Sequence, residues 1–222
     1  MPPLRVAVVL SGCGFKDGSE IHESVAALFH LASAGAVYDC FAPDREFAEV
    51  DHLTGEPTGK MRNALHEAAR IARGKISDLK SLDAARYDAI LFPGGFGAAT
   101  NLSDFAMKGA DATAMPEVVA AVKAFHAAGK PIAVICIAPA MLAAALKGSG
   151  IHAKLTVGAK SGASDGVEAL GARHEVCPVE GLVVDAENKI VSTPAYMYDG
   201  SIIGPFTGIG KLVTALLKLT AK

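Results

Sequence analysis

The sequence predicts an α/β fold with a mainly parallel sheet, helices on both faces and a small hairpin near the C-terminus. Three observations predict it. Short runs such as Leu4 to Leu10, Ala89 to Phe92 and Ile132 to Ile135 are almost wholly apolar, as strands buried on both faces are. Stretches with helical spacing fall between them. The connections are short, so successive strands are joined by right-handed βαβ crossovers.

The elements follow in order. Leu4 to Leu10 runs into the glycine-rich Ser11-Gly12-Cys13-Gly14. From Glu20 the period changes: Val25, Leu28, Phe29 and Ala32 recur at helical intervals, and Gly35 stands where a left-handed cap ends a helix. Ala36 to Phe41 reads as a second strand and Arg62 to Arg73 as a helix. Arg62, Arg70, Arg73 and Lys75 would form a solvated basic face. Ala89 to Phe92 is a strand closed by Pro93-Gly94-Gly95. Glu117 to Ala128 is a helix stopped by Gly129, and Ile132 to Ile135 is the next strand. Leu182 to Asp185 and Ile190 to Thr193 flank Ala186-Glu187-Asn188-Lys189, which predicts a hairpin. Thr207 to Leu219 is a closing helix. With no linker, repeat or low-complexity stretch, residues 1–222 read as one domain.

Composition narrows the function. A chain of 222 residues that is 51% hydrophobic can bury a substantial core. With 21 Lys plus Arg against 23 Asp plus Glu, the formal charge is -2, and no global field attracts nucleic acid or anionic membranes. The early run Val6 to Leu10 is too short for a signal-peptide core, and no stretch is long enough to span a membrane. Cys13, Cys40, Cys136 and Cys177 form no CxxC pair, which argues against structural zinc and a disulfide scaffold. A reducing, cytoplasmic setting is the expectation.

Ligands of an open parallel sheet gather beyond the carboxyl ends of its strands. Three loops fall there: Gly12 to Glu23, Pro93 to Asn101 and Cys136 to Pro139. Ala133-Val134-Ile135-Cys136 passes straight into the helix-forming Ile137-Ala138-Pro139-Ala140-Met141-Leu142, which puts the sulfur on a sharp elbow. A helix amino terminus lowers a thiol pKa from roughly 8.5 toward neutrality. Cys136 is thus a nucleophile or, on the plainer reading, a buried core cysteine. Pro93-Gly94-Gly95-Phe96-Gly97 is an ordinary tight turn or a cradle in which the amides of Gly95 and Ile137 stabilise an oxyanion. Glu20 and Glu23 are favoured in a first helical turn by the dipole. A carboxyl beside a thiol would also be a proton-transfer partner, its pKa held up by burial and repulsion.

Other features carry less. Gly12-x-Gly14 and Gly18 resemble a dinucleotide-binding turn, but Asp17 stands where the third glycine belongs. His22, His30 and His66 show no metal-ligand spacing. Cys40 and Cys177 read as structural, as does Cys13, although its crevice-facing loop would also expose it to oxidation.

The segment Ile135-Cys136-Ile137-Ala138-Pro139-Ala140-Met141-Leu142 resembles the cysteine elbow of the class I glutamine amidotransferase-like superfamily. Ser11-Gly12-Cys13-Gly14, Asp17-Gly18-Ser19-Glu20-Ile21-His22-Glu23, His52-Leu53-Thr54-Gly55-Glu56, Pro93 to Leu102 and Thr193-Pro194-Ala195-Tyr196-Met197 together resemble the ElbB-type glyoxalases. The resemblance spans essentially the whole chain. It implies a flavodoxin-like three-layer sandwich, commonly a homodimer, related to PfpI proteases and to the parkinsonism-associated deglycase. In that deglycase a glutamate touches the cysteine, and Glu23 holds the matching position. The implied activity is cofactor-free and metal-free conversion of methylglyoxal or another small 2-oxoaldehyde to the 2-hydroxy acid. Cys136 and Glu23 would be catalytic, with substrate contacts from Gly94, Gly95, Ile137, Glu20 and Asn101. The rivals are protein deglycation and a non-catalytic redox-sensing or partner-binding role. Two departures bear on this. The elbow lacks the Gly-x-Cys-x-Gly of glutaminases, and His174 is the last histidine, so no late His-x-Glu pair exists and ammonia release from glutamine is not expected. Ile137 replaces the histidine that follows the cysteine in PfpI-type proteases, which argues against proteolysis.

Overall fold

The computed structural model describes residues 2–220. In chain order the elements are β1 (Arg5–Val9), α1 (Ile21–Ser33), β2 (Val37–Ala42), β3 (Glu46–Val50), β4 (Pro57–Asn63), α2 (Ala64–Ile71), β5 (Ile76–Asp78), β6 (Ala89–Phe92), α3 (Phe96–Thr100), α4 (Phe105–Lys108), α5 (Pro116–Ala127) and β7 (Ile132–Ile135). They continue with α6 (Ala138–Leu146), β8 (Lys154–Leu155), α7 (Gly162–Ala169), β9 (Arg173–His174), β10 (Val183–Asp185), β11 (Ile190–Thr193) and α8 (Ile203–Thr220). A seven-stranded sheet in the order β10-β11-β7-β6-β1-β2-β5 forms the middle layer. Only the β10–β11 pair is antiparallel in it. The fold is the expected flavodoxin-like α/β arrangement.

The strands are apolar throughout because each faces two cores. Val6, Val8 and Leu10 point to one side, where Ala26, Ala27 and Leu31 of α1 meet Ile209, Leu212 and Leu216 of α8. Ala7 and Val9 point to the other, with Ile90, Phe92 and Val134, beneath Val118, Val122 and Phe125 of α5 and the wholly buried α6. Burial of both faces fixes the register, since a slip of one residue would exchange the two sets.

Three expectations need correction. The face of α1 that enters the core is Ala26, Ala27 and Leu31; Val25 is 46% and Phe29 59% exposed, because the helix lies rotated so that Glu23 points inward. The helix expected from Arg62 starts at Ala64. Arg62 is in β4, which pairs with β3 in a separate antiparallel hairpin. The two strands are too polar to betray themselves by alternation, and their turn is built locally, with Asp51 Oδ1 accepting from the Leu53 amide and Gly55 at φ +82. Arg62 is consequently not on a solvated face: its guanidinium meets Asp17, Glu49 and Glu67. The expected C-terminal hairpin forms from β10 and β11, and β11 also pairs in parallel with β7, so the hairpin extends the main sheet.

Truncating Phe125, which is fully buried, to alanine should cost about 3–5 kcal/mol in denaturant unfolding. Val25→Ala should change stability by no more than about 0.5 kcal/mol. The reverse ranking would contradict the assigned face of α1.

Candidate active site

Four segments converge at the carboxyl ends of the central strands. Cys136 follows β7 and adopts φ +62, a left-handed conformation that is costly for a residue with a Cβ. It survives because the Cys136 amide is anchored to the Thr193 carbonyl on β11 at 2.9 Å, while Pro139 is in place to open α6. The strained elbow directs the sulfur toward the ends of β6 and α1 rather than along the strand.

Glu23 meets it there. Its carboxyl is fully buried. Oε2 accepts from the Gly94 amide at 3.0 Å, Oε1 accepts from the Tyr196 amide at 3.2 Å, and the carboxyl is hydrogen-bonded to the Cys136 thiol. Burial, with the charge of Glu20 nearby, pushes Glu23 from its ordinary 4.5 up to about 8. Glu20 has a different place. It caps α1, Oε2 accepting from the Glu23 amide at 2.6 Å, and its side chain borders the open cavity. Of the two glutamates, Glu23 therefore faces the thiol.

The thiol departs from expectation. Burial, with Cys136 only 7% exposed, and the adjoining Glu23 carboxyl hold it well above its ordinary 9.0, opposed by the amides of Gly95 and Ile137, which donate to the sulfur. The helix terminus does act on Cys136, but sealing it from water outweighs that contribution. At neutral pH the pair rests as thiol and carboxylic acid. The two amides expected to serve an oxyanion point at Sγ, where they also border any oxygen that a bond to sulfur would bring.

Gly94 is irreplaceable on geometric grounds: a Cβ there would lie 2.3 Å from Cys136 Cβ and 2.5 Å from Glu23 Oε2. At Gly95, with φ +92, a Cβ would lie 2.3 Å from the Glu20 nitrogen. Asn101 does not reach the cavity. It is 3% exposed, and its Nδ2 donates to the Ser11 and Asp17 carbonyls, each at 2.8 Å. The short helix α3 turns it inward, so it ties loops together and binds no substrate. Nor does Gly12 to Gly18 form a phosphate cradle, since Gly14 and Gly18 spend their amides on the Ser19 and Gly14 carbonyls.

Tyr196 is the residue that the sequence reading missed as a participant. It lines the cavity with Cys136, its Oη lies 2.9 Å from His22 Nδ1, and it follows Ala195, which has φ +42. Two of the four non-glycine residues with positive φ among the described residues thus sit at this one site. Spacing gave no hint of this, because Tyr196 and His22 are far apart in sequence; only the motif Thr193-Pro194-Ala195-Tyr196-Met197 drew the eye. The cavity itself is half-open and has a volume of about 590 Å³. Among the described residues, no group of three or more His, Cys, Asp or Glu is arranged to hold a metal.

Two consequences are measurable. Gly94→Ala should abolish any Cys136-dependent reaction, as read by alkylation or turnover. Glu23 binds its proton more tightly folded than unfolded, so its contribution to stability is present below about 4.5 and is lost as the pH rises toward about 8. The fall, at most about 1.4 kcal/mol per pH unit, should be visible in thermal unfolding across that window and be absent from Glu23→Gln.

Comparison with known proteins gives the chain a family. A family model described as the DJ-1/PfpI family matches residues 74–160, the stretch that holds Gly94, Gly95 and Cys136. The chain is 47% identical to a Homo sapiens protein named glutamine amidotransferase-like class 1 domain-containing protein 3, mitochondrial, over 100% of this chain and 85% of that one. It is 35% identical to the ES1 protein, mitochondrial, of Danio rerio, over 98% and 87% respectively. A crystal structure described as an isoprenoid biosynthesis protein with amidotransferase-like domain, from Ehrlichia chaffeensis, aligns with a TM-score of 0.90 at 36% identity, covering 97% of this chain and 99% of that one. The mitochondrial names of these relatives overturn the cytoplasmic expectation. Free cysteines carry no address, because more than one compartment is reducing. The family match and the full-length similarity together show that the chain belongs to the DJ-1/PfpI family, within the class 1 glutamine amidotransferase-like superfamily.

Proposed function

We propose that the protein is a cofactor-independent glyoxalase of the ElbB type that converts a 2-oxoaldehyde to the 2-hydroxy acid. The observation that carries this reading is the buried Glu23 carboxyl hydrogen-bonded to the Cys136 thiol at the floor of an open cavity. Ionised Glu23 takes the thiol proton as sulfur attacks the aldehyde carbon, giving a hemithioacetal whose oxygen lies by the amides of Gly95 and Ile137. Hydrogen then passes from that carbon to its neighbour through an enediol. Glu23 lies behind the sulfur and Glu20 on the cavity side, so Glu20 is the carboxyl placed for the carbon-bound hydrogen. Tyr196, held by His22, donates to the second carbonyl oxygen. The product of this shift is a thioester, and water releases it as the 2-hydroxy acid, restoring the thiol. In sum, one water is added to the oxoaldehyde.

A redox-sensing role is less well supported, because such thiols are exposed and readily ionised, whereas Cys136 reaches the cavity with only 7% of its surface and its thiol is held up. The homodimer expected from the resemblance remains part of this proposal, with the exposed Ile21, Val25 and Phe29 of α1 as an apolar stripe available to it.

Purified protein without glutathione or added metal should form many lactates per subunit from methylglyoxal, and Cys136→Ser should form none. Stoichiometric consumption alone would sink the proposal. The rate should rise with pH through about 8, and Glu23→Gln should lose that limb. Tyr196→Phe, which leaves the Tyr196 amide on Glu23, should lower kcat by about 10-fold or more.

A further inference from the structure

We infer that the site is built for neutral 2-oxoaldehydes with a bulky aromatic or branched apolar tail, not for methylglyoxal itself. This rests on reading Cys136 as a carbonyl nucleophile and goes on to the substrate class.

Size is the first argument. A cavity of about 590 Å³ lies within the roughly 300–1,000 Å³ of sites that enclose drug-sized molecules. A three-carbon oxoaldehyde on Cys136 would leave most of it to water. The second argument is how the walls are divided. Polar groups gather at one end, around Cys136, the Gly95 amide, Glu20 and Tyr196. The remainder is apolar, with Phe15, Phe96, Phe105, Ala99, Ile137 and Met197 among the lining residues. A reactive head and an apolar tail match that division.

The rim supplies the third. Phe15 is 49% and Phe96 55% exposed, although the loop of one and the start of α3 that carries the other are tied together. The Phe96 amide donates to the Phe15 carbonyl at 2.7 Å, and the Phe15 ring packs edge-on against His52 at 5.3 Å. Two half-exposed aromatic side chains held at a cavity mouth, with the Lys16 ammonium 5.3 Å from the centre of the Phe15 ring, are preorganised to cover an apolar guest. Charge is the fourth. Among the described residues, no lysine, arginine or histidine lines the cavity, whereas Glu20 does. A phosphate or carboxylate on the tail would lose hydration against apolar walls without a cationic partner. Phosphorylated sugar fragments and 2-oxo acids are thereby disfavoured.

The test compares kcat/KM for methylglyoxal, phenylglyoxal and 4-carboxyphenylglyoxal. Each additional buried carbon tightens binding severalfold, so phenylglyoxal should exceed methylglyoxal by about 10-fold or more, and the carboxylated compound should fall about 10-fold below phenylglyoxal. In Phe96→Ala and Phe15→Ala the phenylglyoxal-to-methylglyoxal ratio should drop severalfold, which separates wall contacts from intrinsic reactivity. Cys136-dependent turnover of methylglyoxal with no preference for the aromatic compound would overturn this inference and leave the glyoxalase reading standing. If none of the three is turned over, the glyoxalase reading fails, and saturation-transfer NMR with acetophenone and with acetone decides the recognition question alone. Acetophenone binding weakened in Phe96→Ala supports an apolar-tail site; equal signals from the two ketones overturn it.

Discussion

The site depends on one buried carboxyl. Glu23 has no access to water, and an isolated ionised carboxyl in that place would cost several kcal/mol. The fold answers with the Gly94 amide, the Tyr196 amide and the Cys136 thiol, and by letting the group stay protonated up to about pH 8. These three partners come from the loops after β6, β11 and β7, and Glu23 itself opens α1. A single side chain thus clasps four chain segments that share no sequence neighbourhood.

Backbone strain is concentrated where the clasp closes. Cys136 and Ala195 both have positive φ, at the ends of the neighbouring strands β7 and β11. Such conformations persist only where the surroundings over-determine them. Here the two buried helical layers fix the strand ends, and the absence of a Cβ at Gly94 lets Cys136 and Glu23 approach each other. Stability in the core is therefore the condition for strain at the rim.

The same enclosure explains the electrostatics. Helix α6 and its free amides favour a thiolate, and burial beside a carboxyl opposes it more strongly. The outcome is a thiol that stays neutral, beside a carboxyl that can accept its proton only once that carboxyl has itself ionised. Protection and activation are then governed by one proton exchange and not by a permanently charged sulfur.

Much of this was legible in the sequence. Two-sided burial forces continuous apolar runs, so β1, β6 and β7 and the class of fold could be read from local pattern. The break from β-branched residues into Ala-Pro-Ala marked the elbow at Cys136, and Pro93-Gly94-Gly95 marked the close approach. Pattern failed where no period exists: the polar β3–β4 hairpin, the joining of β11 to the main sheet and the rotation of α1 that exposes Val25 and Phe29. It failed again where chemistry depends on distance. Local spacing left Glu20 and Glu23 equivalent, so that the resemblance alone singled out Glu23; sequence also lowered a thiol that burial raises, offered Asn101 to a substrate it never meets and passed over Tyr196. Local composition determines which segments become strands and helices, because that is decided by neighbours along the chain. Only the tertiary structure decided which carboxyl meets the sulfur and how dry the meeting is, because desolvation and contact arise from residues that the chain brings together from afar.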